Sequence, residues 1–212
     1  MKFDHFISML PDLPFFDLAM VVQLSGESRE KSRMQLYRWC KDEKVLSLRR
    51  GMYALADRYR RVPVHPADLA NQLYHPSYLS GLWALSFYGL IPEMVVTYTS
   101  VTTRVPRRFQ NAFGTFQYFN IKQPAFFGYR VTALLEKKVR LADPEKALLD
   151  LWHLEKGAWT QARMAAMRFQ NTDSIDAERL LHYATRFESP RLLRAVEVWN
   201  QWAMDSEGTV VL

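Results

Sequence analysis

Near the start of the chain, apolar residues recur with a helical period. Phe15, Leu18, Ala19, Val22 and Leu24 follow the 3.6-residue repeat, and Ser25-Gly26 ends the pattern, which predicts a short helix over 15–24. A second helix is predicted from Ser28 to about Lys44, with Ser28 as its cap and Glu30 near the positive end of the helix dipole. At 100° per residue from Leu36, the positions Arg29, Ser32, Arg33, Trp39, Cys40 and Glu43 share one side, which is expected to face the core. The opposite side carries Lys31, Met34, Gln35, Arg38, Lys41 and Asp42, and is polar and mostly basic. Val45 to Leu48, the turn Arg49-Arg50-Gly51, and Met52 to Leu55 then read as a hairpin.

The pattern changes after a stretch rich in Arg and Pro, 58–66, which reads as a linker. Helical spacing covers Ala67–Tyr74 and Tyr78–Gly89. Strand-like runs follow at Val95–Val101, Thr115–Ile121, Tyr129–Leu134 and Lys138–Leu141. Asp143-Pro144 is a helix start, with Asp143 at the N-cap and Pro144 at N1, and that helix runs to His153. Three more helices are predicted near 158–168, 174–187 and 190–204. The expected architecture is α+β: a small N-terminal unit over 1–57, and a larger domain over 67–212 with a small sheet and C-terminal helices.

Charge sharpens this division. The chain of 212 residues carries a net charge of +6. Residues 29–61 hold eleven Lys and Arg against four acids, a net of +7, so the remainder sums to −1. Such a concentration is the footprint of a module that neutralises phosphates. Helix, Gly-containing turn, basic helix and basic hairpin form the order of a winged helix-turn-helix.

Several chemistries lose their usual handles. The eight glycines form no G-x-G-x-x-G, no phosphate-binding G-x-x-x-x-G-K and no G-x-S-x-G elbow. The five histidines never recur at i, i+3 or i, i+4, so no helix-borne metal pair is present, and neither a metal nor another cofactor is expected. Asp143, Glu145 and Lys146 invite comparison with metal-dependent nucleases. Helix initiation explains them more simply, with Glu145 as a favourable first-turn charge. The hydroxyl-rich stretch 98–103 has no adjacent base in the sequence. The lone Cys40 excludes an intrachain disulfide and a Cys-cluster zinc site. Apolar runs such as 15–22, interrupted by Asp17, fall short of the roughly 18 to 20 residues a bilayer needs. Asp4, Pro11, Asp12 and Pro14 break up any apolar signal core. A cytoplasmic protein without a membrane partner is expected.

The larger domain carries a resemblance. Pro76-Ser77-Tyr78-Leu79-Ser80, the run from Ala84 to Glu93, Thr99-Ser100-Val101-Thr102-Thr103, Phe113 to Tyr118, Phe127-Gly128-Tyr129 and the run from Asp143 to Asp150 together resemble AbiEi-type antitoxins of type IV toxin-antitoxin systems. The likeness spans about 67–153, and 154–212 matches only as a helical tail. Gly81-Leu82-Trp83 departs from relatives that are often more polar there. The resemblance implies an N-terminal winged helix-turn-helix that binds operator DNA and represses its own operon. It also implies a C-terminal domain with antitoxin activity and no enzymatic role. The partner it implies is an AbiEii-type, nucleotidyltransferase-like toxin, and membership of a type IV system implies that it is opposed by an indirect route.

The N-terminal residues do not match the family one by one, so the DNA-contact candidates rest on helix geometry. Lys31, Gln35 and Arg38 are expected to reach base edges or phosphates from the second helix, with Arg29 and Lys41 beside them. Arg49 and Arg50 would grip the backbone from the hairpin, and Arg58, Arg60 and Arg61 would add attraction. Two half-sites would admit a homodimer or cooperative neighbours on double-stranded operator DNA. Two other functions stay open: a stand-alone winged-helix transcriptional regulator whose larger domain senses a ligand or partner, and a DNA-processing enzyme built on 143–146.

Overall fold

A computed structural model of the chain describes residues 1–207. The N-terminal unit consists of α1 (Phe3–Met9), β1 (Phe16–Asp17), α2 (Leu18–Ser25), α3 (Arg29–Lys41), β2 (Val45–Arg49) and β3 (Met52–Leu55). The helix expected over 15–24 starts at Leu18, because Phe16 and Asp17 pair in register with Tyr53 and Met52 of β3. Asp17 then caps α2, its carboxylate accepting from the Met20 N–H at 2.8 Å. Gly26 closes α2 at φ 64°, and Ser28 accepts from the Lys31 N–H to open α3. The second helix stops at Lys41 rather than Lys44: Glu43 turns to positive φ and the Lys44 N–H bonds back to the Trp39 carbonyl.

Phe3, Phe6, Phe16, Val21, Leu36, Trp39, Val45 and Leu55 form the buried core of this unit. The Phe6 and Trp39 rings stack with centroids 4.9 Å apart. The hairpin has a second buried face. A register shift between Ser47 and Arg49 turns the end of β2, and Leu48, Met52 and Ala54 join the core of the larger domain. Residues 58–66 are held closely: Val64 is buried in that same core, and Arg60 has only 10% of its side chain exposed.

The larger domain begins with α4 (Pro66–Leu73), β4 (Ser77–Leu79), α5 (Gly81–Phe87), β5 (Thr97–Thr102), β6 (Arg107–Asn111) and β7 (Gly114–Asn120). It continues through β8 (Tyr129–Leu134), β9 (Lys137–Ala142), α6 (Pro144–Leu154), α7 (Gln161–Ala166), α8 (Ala177–Thr185) and α9 (Pro190–Glu207). The six strands order as β6-β7-β5-β4-β9-β8, with β4 parallel to β9 and β5 parallel to β7. The helix expected over 78–89 starts only at Gly81. Ser77–Leu79 is a central strand, antiparallel to β5. Strand β6, unannounced by any apolar run, is a charged edge strand, which suits an exposed sheet margin. Among the described residues, no helix is long and apolar enough to cross a membrane.

Three histidines make stability depend on pH. Burial holds the pKa values of His65, His75 and His153 below the ordinary 6.5; nearby cations add to the effect, and Asp68 and Asp150 oppose it in part at His65 and His153. Between the lowered folded values and 6.5 the unfolded chain binds more protons, so stability falls as pH drops through that window. Thermal unfolding from pH 7.5 to 5.5 is expected to register the decline. His153→Phe, at the most enclosed of the three sites, is expected to flatten it.

Candidate nucleic-acid interface

The core-facing stripe of α3 is Ser32, Leu36 and Trp39, with Cys40 half-buried. Arg29, Arg33 and Glu43, expected on that side, are exposed. Arg29 sits in the first turn, beyond the reach of the core, and Arg33 falls at the margin of the stripe. The outward face presents Lys31, Arg38 and Lys41 as expected, and Gln35 is half-buried. Met34 and Tyr37, at 58% and 72% exposed, stand out from the same face. Among the described residues, none of Arg29, Lys31, Arg33, Arg38 and Lys41 is in a salt bridge. Lys31, Arg38 and Lys41, cations outside any salt bridge on one helix face and flanked by an aromatic and a thioether, can contact phosphates and base edges together.

The hairpin turn adds Arg49 and Arg50. Gly51 takes φ +80°, a left-handed conformation that glycine adopts without strain and that brings the strands around tightly. Arg50 is exposed, while Arg49 is half-buried and donates to the Arg50 carbonyl at 3.2 Å. Beyond the hairpin the three arginines differ. Arg58 is exposed over the Tyr59 ring. Arg60 turns inward, pairs with Asp57 at 2.6 Å and lies over the Phe113 ring. Arg61 pairs with Asp12 at 3.2 Å. Ion pairing leaves Arg60 and Arg61 less field to project than a count of basic residues implies.

Sequence reasoning also missed cations contributed by the larger domain. Strand β2 lies beside β6, where the Asn111 side chain donates to the Leu48 carbonyl at 3.1 Å. This places exposed Arg104 and Arg107 around the same concavity as Arg49 and Arg50. Only their adjacency in the fold, not any spacing along the chain, assembles this group.

The carboxylates of 143–150 are arranged differently. Asp143 holds the N-cap position of α6, but its side chain makes no cap bond. It accepts from the Tyr183 hydroxyl at 3.1 Å and pairs with Arg130 at 3.4 Å. Glu145 holds the first-turn position expected of it, and is buried there, accepting from the Asp176 N–H at 3.0 Å. Lys146 is fully buried against Asp150, donates to the Tyr78 hydroxyl at 2.9 Å, and sits over the Phe127 and Phe187 rings. Asp150 also accepts from the Ser80 and Tyr78 hydroxyls at 2.7 and 3.0 Å. Lys146, Asp150, Tyr78 and Ser80 satisfy one another in the core, whereas the second Glu145 carboxylate oxygen is buried without a hydrogen bond and faces the Arg179 guanidinium at 3.7 Å. Among the described residues, no three His, Cys, Asp or Glu side chains gather as metal ligands.

Comparison with protein families and with curated proteins finds no match for the chain.

Proposed function

We propose that residues 1–57 are a winged helix-turn-helix that reads operator DNA, and that the chain is a non-enzymatic autorepressor and antitoxin of the AbiEi type. On this reading it counteracts a nucleotidyltransferase-like toxin. The observation that carries the DNA-binding part is the outward face of α3, whose exposed Lys31, Arg38 and Lys41, with Arg33 at its margin, are in no salt bridge among the described residues. The order helix, strand, helix, helix, hairpin supports the winged form: α3 is the element that would enter the major groove, and the β2–β3 hairpin is the wing. The antitoxin part rests on the resemblance of 67–153 alone. The stand-alone regulator remains the second reading, favoured by the concavity where the wing meets the larger domain.

The test is a salt-dependent titration of the full chain against its own upstream DNA and a scrambled duplex of equal length. Sequence-specific binding, at least about a thousandfold tighter for the upstream duplex and with a steep salt slope, is expected. Equal, weak binding to both duplexes would reduce the basic segment to a solvated surface. The gene beside this one then separates antitoxin from stand-alone regulator.

A further inference from the structure

The concavity between the hairpin and the larger domain has a volume of about 350 Å³, within the range of small-ligand sites. Four arginines line it, Arg49 and Arg50 from the hairpin and Arg104 and Arg107 from the β5–β6 region, together with His75 and Tyr74. No carboxylate lines it, and the salt bridges among the described residues engage none of the four arginines. The site is built rather than incidental. The Arg104 guanidinium sits 4.6 Å above the Tyr74 ring and donates to the His75 carbonyl at 3.0 Å. Tyr74 is pinned by a bond from its hydroxyl to the Val105 carbonyl at 3.1 Å. Arg107 approaches the same ring at 5.9 Å. The buried Nε of Arg49 has no hydrogen-bond partner.

Converging guanidinium groups without acids suit an oxyanion with several acceptor oxygens and two or more negative charges, for which the planar fork is the matching donor. We propose that this cleft binds a small phosphate-rich anion of di- or triphosphate size. Its occupant would draw Arg49 and Arg50 away from DNA, so ligand binding and operator binding would oppose each other. That coupling rests on the DNA-reading proposal, whereas the binding itself does not.

The site's positive surroundings have a spectroscopic signature. Burial, followed by the charges of Arg140 and Arg49, lowers the pKa of His75. A bound polyanion is expected to raise it.

The experiment titrates the full chain with inorganic triphosphate by calorimetry at physiological salt, without DNA. One saturable site is expected, accompanied by an upward shift of the His75 titration in NMR. Arg107→Gln is expected to weaken binding by about tenfold, the loss of one charge-assisted fork. Arg108→Gln serves as a charge-matched control. Arg108 neighbours Arg107 on β6 but points to the other face of the strand and does not line the cleft. It is expected to leave binding within about twofold. Absence of saturable binding, an unmoved His75, or equal losses from the two variants would overturn the proposal. If triphosphate fails to bind while Arg107→Gln weakens DNA binding, the cleft belongs to the DNA footprint and the ligand site is refuted. If triphosphate binds but leaves operator affinity unchanged, the binding proposal stands and its opposition to DNA is overturned.

Discussion

Lys146→Met is expected to destabilise the protein by about 3 to 5 kcal/mol, the cost of removing one partner from a buried ion pair. At this chain length that corresponds to a fall in melting midpoint of roughly 10 °C. Methionine is close to lysine in volume, so the cavity contribution is small, and the effect comes from the Asp150 carboxylate left in the core with only the Ser80 and Tyr78 hydroxyls. Replacing both partners, Lys146→Met with Asp150→Leu, is expected to recover much of the loss, because an apolar pair avoids the desolvation that each charge suffers. Denaturant unfolding of the four proteins completes the cycle. A single-variant cost below about 1 kcal/mol would show that the buried pair is not held as ions. The pH dependence gives an independent readout. Burial lowers the folded pKa of Lys146, with Asp150 opposing the shift, while the unfolded chain keeps its proton up to the ordinary 10.5. In that interval the unfolded state binds more protons, so the lysine makes stability rise with pH. Tyr78 acts in the opposite sense above pH 10, since burial and Asp150 raise its pKa well beyond that value. The wild-type advantage over the Lys146→Met variant is therefore expected to widen as pH climbs toward 10.

How such a pair escapes a reading of the sequence is instructive. Helix α6 was legible from Asp143-Pro144 and its apolar spacing, and it runs over Pro144–Leu154 as the pattern implied. Yet Lys146 and Asp150, four residues apart, look like an ordinary exposed i,i+4 pair. Only the packing of β4 and the aromatic rings around them takes both to zero exposure. Strand β4 was hidden for a related reason: three residues are too few to display alternation, and they adjoin a true helix. The hairpin read clearly as a hairpin, but a register shift at Leu48 gave it a second buried face that no regular alternation encodes. The basic character of 29–61 was plain from composition. Its distribution was not, since Arg60 is neutralised by Asp57 while Arg104 and Arg107 arrive from a distant segment. Within α3 the wheel placed Leu36, Trp39 and Arg38 correctly, and failed at Arg29 and Glu43, which lie at or past the helix ends, and at Arg33, which lies where a marginal angle decides between core and solvent.

If α3 reads bases, Arg38→Ala is expected to weaken operator binding by about 1 to 3 kcal/mol and to relax preference at a single base pair. Stability should scarcely change. Arg38 is exposed, has no acidic partner among the described residues, and alanine is the better helix former. Loss of a cation from the last turn costs only a few tenths of a kcal/mol through the helix dipole, so circular dichroism melting should separate folding from recognition. Arg50→Ala supplies the contrast. From the hairpin tip it would meet backbone phosphates, and its loss is expected to weaken operator and scrambled duplex alike while lowering the salt slope by about one. A pair of variants with these two signatures would assign base reading to the helix and backbone grip to the wing. Unchanged operator affinity in the Arg38→Ala variant would remove that residue from the interface. If Tyr37→Ala and Arg33→Ala then lowered affinity instead, the helix would still enter the groove, rotated by about one residue toward the side that the packing, rather than the wheel, leaves open.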